Sequence, residues 1–401
     1  MTQATGQTTG RATGQTTGRA VRHDAMRARN LALVLGEVEA RGSLTRAALA
    51  EITGLTKTTV SKLVADLIEA GLVVEAGTVR DGERGRPGME VRISGDRIAA
   101  IGLEINVDYL SVRVVDLARS VRLRRTQAVD NRAAQPVDVI AALGDLVVKA
   151  VDEAVDIGLH VVGGVLAVPG PVDLSTGFVH NAPNLGWREV PVAELLRLPL
   201  PVLVENEANL AALGELWFGA GPPDFLYVSG EIGIGAGLVV QGRLFRGARG
   251  FAGELGHVAV SPDGPLCRCG ARGCLERYAG QDALLAAAAV ADLAELISLL
   301  EATDSRALAA CERAGWALGV ALSSAVNLVD PDTIVLGGIF ARLFPWLADT
   351  VTGTLAAHLG QMRGAVPPVI VSRLGTEAAA LGAAGQVIRQ VIADPAAALH
   401  T

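Results

Sequence analysis

The pattern that most restricts the fold of this chain is a histidine followed by three closely spaced cysteines, His257-x9-Cys267-x-Cys269-x4-Cys274. One imidazole and three thiolates are the ligands of a closed structural zinc site, which is tetrahedral with Zn–S distances of about 2.3 Å. The glycines of the segment CGARGC supply the tight turns that let three sulfur atoms converge. We therefore predict a structural zinc ion bound by His257, Cys267, Cys269 and Cys274. Three reduced, unpaired cysteines in a loop are the alternative, and Cys311 is expected in a helical core.

The composition indicates a globular protein with more than one domain. At roughly 150 residues per domain, the 401 residues correspond to two or three domains. Half of the residues are hydrophobic and 19% are charged, which excludes a chain that is disordered throughout. The N-terminus has no apolar signal-peptide core, and no uninterrupted apolar run reaches the length of a membrane span. We therefore expect a cytoplasmic protein.

The charges are divided unequally along the chain. Residues 1–97 carry 14 Lys and Arg against 11 Asp and Glu, a net charge of +3. Because the whole chain carries −7, the remainder carries −10. A mildly basic N-terminal part favours an anionic partner for that part, although +3 over such a length is common.

The chain begins with a low-complexity segment. The sequence ATGQTTGR at residues 4–11 is repeated at residues 12–19 and has no hydrophobic periodicity. We therefore predict a disordered tail over residues 1–23. A helical pattern begins at residue 24, and its apolar face consists of Leu31, Val34, Leu35 and Val38.

The next segment has the pattern of a winged helix-turn-helix. A short helix is predicted at about 45–52, and a turn leads to a third helix with Thr56 as its N-cap and Gly71 just after its end. Two short strands, about 72–76 and 89–93, flank a loop rich in charged residues. The apolar face of the third helix consists of Val60, Leu63, Val64, Leu67 and Ile68.

This domain, placed at residues 24–95, has the order of elements of a DNA-binding module. In such modules the second helix of the helix-turn-helix pair enters the major groove, and its N-terminal residues reach the bases. Here that helix begins at Thr56, and two arginines of the charged loop are placed to act as a wing. A small helical dimerisation module with solvated charges is the alternative. The predicted DNA-binding residues are Thr56, Lys57, Thr58, Thr59, Ser61, Lys62, Arg84 and Arg86.

The remaining residues, 96–401, have an α/β pattern. Three strand-like runs are followed by a long helix and a buried strand, and a glycine-rich set of strands at about 225–260 starts a second round. Alanine-rich helices fill most of the rest. This order of elements, a meander of strands followed by a crossover helix and then a similar set, predicts a duplicated α/β architecture.

Several polar residues of this part could bind a sugar. Glu254 and His257 precede the cysteine loop and Glu276 closes it, and carboxylates beside an imidazole can bond several sugar hydroxyls. If zinc holds one nitrogen of His257, the other faces outward in a fixed tautomer. Asn184, Asn206 and Glu207 lie near predicted strand ends. From spacing alone, surface charges and helix caps are the preferred interpretation.

Two glycine-rich stretches are candidate nucleotide contacts. Gly230–Gly237 could let backbone amides approach a phosphate, and Gly337-Gly338 follows a predicted strand. Neither is a Walker loop, because no Gly-Lys-Ser/Thr ending is present. A pair of tight hairpins is the alternative.

Taken together, these motifs resemble those of the ROK family of repressors and sugar kinases. The strongest stretch is GELGHVAVSPDGPLCRCGARGCLE at residues 253–276. GLTKTTVSKLVADLIEAGLV at 54–73 and GRP at 85–87 are similar to the winged helix of the transcriptional-regulator branch, that of the xylose-type repressors. The resemblance covers almost all of the chain after residue 24.

The resemblance implies an α/β body at 96–401 with an actin-like, ribonuclease H-like sugar-kinase fold. Its two lobes would be about 96–205 and 206–401, with a sugar cleft between them. It also implies zinc at the four residues named above. The residues implied to bind the sugar are Asn184, Asn206, Glu207, Glu254, His257 and Glu276.

Two departures from the family pattern argue against catalysis. The kinases of the family begin the body with an Asp-x-Gly-Gly-Thr phosphate loop, and the matching stretch here is Glu104-Ile105-Asn106-Val107-Asp108. Their general base is the Asp of an Asn-Asp pair, and the pair here is Asn206-Glu207. Misplacing a catalytic group by about 1 Å can cost on the order of 100-fold in rate. We therefore expect no enzyme activity.

The sequence thus favours a sugar-responsive transcriptional regulator, most simply a repressor that a sugar releases from its operator. We expect operator DNA and a small sugar as partners, a homodimer or homotetramer, and no membrane. An ATP-dependent sugar kinase with a DNA-binding head is the main alternative, and a constitutive DNA-binding protein is a third.

Overall fold

The structure, a computed structural model, describes residues 14–79, 88–132, 134–219, 221–360 and 363–398. The described chain divides into two units. The head contains the chain up to Ile98 together with the chain from Ile388 onwards. The body contains Ala99–Val387.

The described N-terminal part of the head contains three helices and a three-stranded antiparallel sheet. The helices are α1 (Gly14–Arg41), α2 (Arg46–Thr53) and α3 (Lys57–Glu69), and the strands are β1 (Ser43–Thr45), β2 (Val73–Val79) and β3 (Gly88–Ile93). The sheet order is β1-β3-β2. The predicted apolar stripe of α1 is fully buried, and so are most of the predicted apolar residues of α3. This is the predicted winged helix-turn-helix arrangement.

Local capping residues fix the ends of α2 and α3, as their positions in the sequence predict. The Thr56 hydroxyl accepts a hydrogen bond of 3.2 Å from the backbone N–H of Thr59 and so caps α3. Gly54 and Gly71 follow α2 and α3 with φ values of +70° and +73°. Glycine adopts this left-handed conformation without steric cost, so both turns follow from the sequence.

The first helix is longer than predicted. It begins at Gly14, so residues 14–23, which were predicted to be disordered, are helical. Extending an existing helix adds one backbone hydrogen bond for each further residue, so the helix can continue through a polar segment. Because the segment has neither an apolar face nor a recognisable cap, its sequence does not predict this extension. The loop with Arg84 and Arg86 lies outside the described residues, and so do residues 1–13.

The end of the chain contributes to the head, although the sequence analysis assigns it to the body. The short helix α13 (Pro395–Ala398) contacts α1. Arg389 Nη1 lies 3.0 Å from Glu39 Oε2 on α1. The head is therefore built from both ends of the sequence.

The first half of the body is a five-stranded sheet. Its strands are β4 (Ile98–Ile105), β5 (Tyr109–Asp116), β6 (Val121–Ala128), β7 (His160–Val168) and β11 (Val202–Asn206), in the order β11-β7-β4-β5-β6. The first three form an antiparallel meander, whereas β7 and β11 pair in parallel. The helix α4 (Pro136–Asp156) connects β6 to β7 and buries its apolar face in the core of this half.

A small sheet in this half was not predicted. It consists of β8 (Val172–Asp173), β9 (Phe178–Ala182) and β10 (Trp187–Val190), and a short helix α5 (Val192–Leu195) follows it. Strands of two to five residues with mixed polarity give little periodicity, so their sequence does not reveal them.

The second half of the body repeats the arrangement of the first. Its strands are β12 (Phe225–Gly230), β13 (Ile234–Val240), β14 (Arg243–Phe245), β15 (Thr333–Gly338) and β16 (Val369–Val371), in the order β14-β13-β12-β15-β16. Three strands again form an antiparallel meander, and β12, β15 and β16 run in parallel. The predicted strand set at 225–260 is wrong beyond Phe245, where a loop and a 3-10 turn (Leu255–His257) follow.

Seven helices accompany the second half of the described body. They are α6 (Glu207–Phe218), α7 (Glu276–Ala279), α8 (Gln281–Ala288), α9 (Leu293–Glu301), α10 (Ser305–Val329), α11 (Ile339–Leu359) and α12 (Ala378–Ala393). In the described chain no single helix is long and apolar enough to cross a membrane; only the bent pair α8 and α9 would be, by length and composition alone.

Glycines allow α12 to pack directly on α6. A Cβ atom added at Gly382 would lie 1.8 Å from the backbone oxygen of Leu210, and one added at Gly214 would lie 2.2 Å from the backbone oxygen of Ala378. These distances leave no room for a side chain. The two glycines therefore set how closely α12 packs on α6.

Candidate ligand and metal site

A cavity of about 390 Å³ lies where strand ends of the two five-stranded sheets of the body meet. The ends of β4, β11 and β12 contribute to its lining, together with the loop that precedes the cysteines. The structure brings all six predicted sugar-binding residues to this cavity. Its lining includes Asn184, Asn206, Glu207, Glu254, His257 and Glu276.

Asn206 and Glu207 lie at the junction of β11 and α6. The Asn206 side-chain oxygen caps α6 by accepting hydrogen bonds of 3.0 Å from the N–H groups of Ala208 and Asn209. Its amide donates to the backbone oxygen of Gly170 at 3.0 Å. Glu207 Oε2 is buried without a hydrogen-bond partner among the described residues. Burial raises the pKa of Glu207 well above its usual range, which favours the protonated carboxyl, and a ligand hydroxyl can supply the partner that Oε2 lacks.

Glu254, His257 and Glu276 line the cavity beside the cysteine loop. Burial raises the pKa of the Glu254 carboxyl, an effect that His257 opposes and Glu276 adds to. His257 Nε2 lies 4.0 Å from Glu254 Oε2. Glu276 accepts a hydrogen bond of 3.2 Å from the backbone N–H of Ile234. The two carboxylates and the imidazole edge thus offer several hydrogen-bonding positions to one ligand.

Asn184 is held by an arginine of the cysteine loop. It follows the strand β9, and its side-chain oxygen accepts a hydrogen bond of 3.2 Å from Arg268 Nη1. Arg268 also lines the cavity and lies 3.4 Å from Asp282. The side-chain amide of Asn184 remains as a donor for a ligand oxygen.

Polar side chains cluster at the end of β4, in the stretch that the sequence analysis compares with the kinase phosphate loop. Glu104, at the end of β4, is buried and accepts a hydrogen bond of 2.8 Å from the Tyr109 hydroxyl. Burial, together with the nearby charge of Glu231, raises the pKa of Glu104 to about 7. The Asn106 amide donates to Glu231 at 2.9 Å. The sequence analysis did not single out Glu231, and its position just after β12 is the signal that could have identified it.

The four predicted metal ligands converge. Their ligand atoms all lie within 4.8 Å of one another. The sulfur atoms of Cys269 and Cys274 are 3.7 Å apart, and Cys267 Sγ is 3.9 Å from His257 Nδ1. The other nitrogen, Nε2, is the one nearer Glu254. This His/Cys₃ cluster can hold a metal ion, whereas Cys311 is buried in α10.

The start of α3 presents most of the predicted DNA-binding side chains at the surface. Lys57, Thr58 and Lys62 are exposed, whereas Thr59 and Ser61 are partly buried. Thr56 is exposed, but its hydroxyl caps the helix and lies 2.8 Å from the Thr59 hydroxyl. The two lysines and Thr58 are therefore the side chains most free to contact another molecule.

Two family models match this chain. The model described as "ROK family" matches residues 100–390, and the model described as "MarR family" matches residues 31–85. The xylose repressor of Bacillus subtilis (strain 168) is 30% identical over 367 residues, which covers 90% of this chain and 94% of that protein. A glucokinase of Streptomyces coelicolor is 32% identical over 272 residues, which covers 61% of this chain and 85% of that protein.

Solved structures support the same fold. The structure of a ROK family transcriptional regulator, a homolog of the E. coli MLC protein, matches with a TM-score of 0.77 at 22% identity. The match covers 94% of this chain and 100% of that one. A ROK family glucokinase from Streptomyces griseus, in complex with glucose and AMPPNP, matches with a TM-score of 0.63 at 29% identity and covers 73% of this chain and 99% of that one. The predicted fold class, a winged helix-turn-helix followed by an actin-like α/β body, is confirmed.

Proposed function

The chain belongs to the ROK family, and from this premise we propose that it is a sugar-responsive transcriptional repressor. The body would bind the sugar, and the head would bind operator DNA in the cytoplasm. The observation that carries the proposal is the combination of a MarR-type head with a cavity lined by all six expected sugar-binding residues. The xylose repressors that match most of the chain support it.

The cavity has the chemistry of a site for an uncharged polyhydroxyl ligand. Glu207, Glu254 and Glu276 offer acceptors for sugar hydroxyl groups, and the Asn184 amide offers a donor. The unpartnered oxygen of Glu207 gains a hydrogen bond when a sugar hydroxyl occupies the cavity. We propose that these residues, with Asn206 and His257, bind the effector. Xylose is the first sugar to test, because it is the sugar in the names of the matching repressors.

The head supplies the DNA-binding surface in this proposal. Lys57, Thr58 and Lys62 lie in the first turns of α3, where a recognition helix contacts bases and phosphates. We expect Thr56 to act mainly as the helix cap and Arg84 and Arg86 to contact the DNA backbone or minor groove. The protein would bind a near-palindromic operator as a homodimer or homotetramer. Release by sugar requires that the sugar prefer the non-binding conformation, by about 1–3 kcal/mol in typical systems.

We propose that the body does not catalyse phosphoryl transfer. Glu104 and Asn106 replace the residues of the kinase phosphate loop, and Asn106 is already bonded to Glu231. The carboxyl groups of Glu104, Glu207 and Glu231 also line the cavity. Phosphate sites in proteins are built from positive charge and N–H donors, which these three side chains do not supply.

We propose that the metal of the His/Cys₃ cluster is zinc. Tetrahedral coordination at about 2.3 Å places two sulfur atoms about 3.8 Å apart. The 3.7 Å between Cys269 and Cys274 fits this geometry. The metal would be held through His257 Nδ1, so that Nε2 faces Glu254 and the cavity. Zinc would thus fix the orientation of a sugar-binding imidazole as well as the loop.

The test is fluorescence anisotropy of the purified protein on DNA from upstream of its own gene, at fixed salt. We expect tight binding that D-xylose or another sugar releases. The variant Glu254→Ala should keep DNA binding and lose the response to sugar. Specific DNA binding that no pentose, hexose or N-acetyl sugar changes would contradict the proposal.

A sugar kinase with a DNA-binding head is the second candidate, since glucokinases match the body. The glycine-rich run Gly230–Gly237 and the pair Gly337-Gly338 at the end of β15 are the retained features that favour it. An ADP-release assay with the same sugars separates the two functions. Sustained turnover on any sugar would establish the kinase and overturn our interpretation of Glu104 and Glu207.

A further inference from the structure

One aromatic ring is exposed at the wall of the cavity. Phe251 lines the cavity and is 51% exposed. The rings of Tyr109 and Tyr227 also line the cavity, but the Tyr109 hydroxyl is bonded to Glu104 and Tyr227 is fully buried. Among the described phenyl and phenol rings of the lining, Phe251 is therefore the one with the most exposed apolar surface.

The ring of Phe251 is held by a neighbour from the other half of the body. It stacks on the His180 ring of β9, with ring centroids 6.4 Å apart and an angle of 22° between the planes. Phe178 in turn contacts His180 edge to face at 5.5 Å. Phe251 follows β14 of the second sheet, whereas His180 belongs to the small sheet of the first half. The stacked pair thus forms part of the cavity wall with one ring from each half of the body.

The loop that carries Phe251 has a defined conformation. Gly247, Gly250 and Gly253 have φ values of +73°, +81° and +95°, and a Cβ atom at Gly253 would lie 2.2 Å from the Ala236 backbone oxygen. The Ala252 N–H donates to the Arg246 backbone oxygen at 3.1 Å and closes the loop. Glycine adopts these conformations without steric cost, and the close approach at Gly253 leaves no room for a side chain, so these residues permit the path that places Phe251 at the cavity wall.

An ion pair connects this loop to the predicted sugar-binding residues. Arg246 Nε donates to Glu205 Oε2 at 2.7 Å, and the Glu205 side chain is only 4% exposed. Glu205 immediately precedes Asn206 and also accepts a hydrogen bond of 3.1 Å from Asn209. The position of Phe251 is therefore tied to the strand end that carries Asn206 and Glu207.

The chemistry of a sugar ring matches a cavity that has both polar groups and an exposed apolar ring in its lining. A pyranose carries hydroxyl groups at its edge and C–H groups on its faces, so it needs polar partners around it and an apolar surface against one face. The carboxylates and amides of the cavity supply the polar partners, and Phe251 supplies the apolar surface. We infer that Phe251 is a further sugar-binding residue, against which a pyranose ring packs its C–H face. This inference rests on the proposed sugar-binding function.

The loop neighbourhood offers a matched control. Phe245, at the end of β14, is also 51% exposed but does not line the cavity. The affinities of D-xylose, D-glucose and N-acetyl-D-glucosamine are measured by calorimetry for the wild type, Phe251→Ala and Phe245→Ala. For each sugar that the wild type binds, we expect Phe251→Ala to weaken binding about tenfold, as loss of half a buried phenyl face would. Phe245→Ala should change the affinity less than about twofold.

A second measurement reports the ring contact itself. C–H protons of a sugar that packs on a phenyl ring shift upfield, so NMR of the bound sugar should show this shift in the wild type and in Phe251→Tyr. Phe251→Leu keeps an apolar side chain but should lose the shift. Melting curves of all variants verify that they fold.

The outcomes are distinct. A wild type that binds none of the sugars would overturn the proposed function and this inference together. A wild type that binds a sugar with no upfield shift, or with equal affinity in Phe251→Ala, would overturn this inference alone. Equal losses in Phe251→Ala and Phe245→Ala would also overturn it, because the effect would then not depend on the cavity wall.

Discussion

The side-chain amide of Asn106 donates a hydrogen bond of 2.9 Å to the carboxylate of Glu231. Asn106 follows β4 of the first sheet and Glu231 follows β12 of the second, so this bond joins the two halves of the body at the cavity. Asn106 also accepts a hydrogen bond from the Asp108 N–H at 3.3 Å, and its backbone oxygen accepts one from the Asn131 amide. The side chain of Asn106 is thus engaged by protein groups of both halves of the body.

Removing this amide should destabilise the body. Asn106→Ala leaves the half-buried carboxyl group of Glu231 without its donor and removes the buried Asn106 side chain, which should lower the free energy of unfolding by about 1–3 kcal/mol. Denaturant titration followed by circular dichroism measures the change. Asn327→Ala, at an exposed position of α10, is the matched control and should change it by less than about 0.5 kcal/mol. Equal curves for the two variants would show that the bond contributes nothing.

The raised pKa of Glu104 predicts a specific dependence of stability on pH. Burial and Glu231 raise this pKa from 4.5 to about 7. Between these values the folded state keeps a proton that the unfolded state loses, so stability from this group is present below pH 4.5 and is lost as pH rises to about 7. The loss should approach about 1.4 kcal/mol per pH unit within that window.

Glu104→Gln tests this dependence, because the amide cannot titrate and its oxygen can still accept the Tyr109 hydrogen bond. The difference in unfolding free energy between the variant and the wild type should grow with pH up to about 7 and then stay constant. A difference that does not change over this range would mean that Glu104 ionises at an ordinary pH in the folded protein.

The lysines of α3 should carry part of the salt dependence of DNA binding. Lys57 and Lys62 are two of the three lysines in the chain, and the third, Lys149, is exposed on α4 of the body. Replacing both Lys57 and Lys62 by alanine should weaken operator binding and reduce the slope of log K against log salt by up to about 2. Lys149→Ala should leave both quantities unchanged. If the double variant behaves like Lys149→Ala, α3 is not the recognition helix.

The His/Cys₃ cluster should bind about one zinc ion per chain. Elemental analysis of the purified protein measures the zinc, and a strong chelator should remove it and lower the melting temperature, since a closed zinc site stabilises its loop. Cys269→Ser should reduce the zinc content, whereas Cys311→Ser should retain it because Cys311 lies in α10. Full zinc content in Cys269→Ser would exclude Cys269 as a ligand.

The close packing of α12 on α6 gives a further prediction with an internal control. Gly382→Ala places a Cβ atom 1.8 Å from the Leu210 backbone oxygen, so it should destabilise the body by about 1–3 kcal/mol or more. Gly353 lies in α11 with nothing within 4 Å of an added Cβ. Gly353→Ala should stabilise the protein by about 0.5–1 kcal/mol, because alanine favours helix. Thermal unfolding of both variants should therefore shift in opposite directions.

Features decided by a few adjacent residues were predicted best. The cap at Thr56, the turn at Gly71 and the buried stripe of α1 each follow from short patterns, and the structure has all three. The convergence of the four metal ligands follows in the same way from their spacing. These features do not depend on distant parts of the chain.

Features decided by distant contacts were missed. The packing of α13 on α1 joins the two ends of the sequence, and no local pattern indicates it. The predicted strand set at 225–260 does not continue past Phe245, and the loop that follows contains the left-handed glycines Gly247, Gly250 and Gly253. Glu231 and Phe251 gain their positions only when the two halves of the body meet, so the sequence did not identify either as a cavity residue.

The two sheets of the body have separate hydrophobic cores. One cluster of buried residues surrounds the first sheet and another surrounds the second, and the cavity lies between strand ends of both. A ligand that contacts both sheets is lost when either half of the body unfolds, so its binding free energy must be overcome to unfold one half alone. Occupancy of the cavity should thus make the body melt as one cooperative unit, with the calorimetric enthalpy approaching the van't Hoff enthalpy.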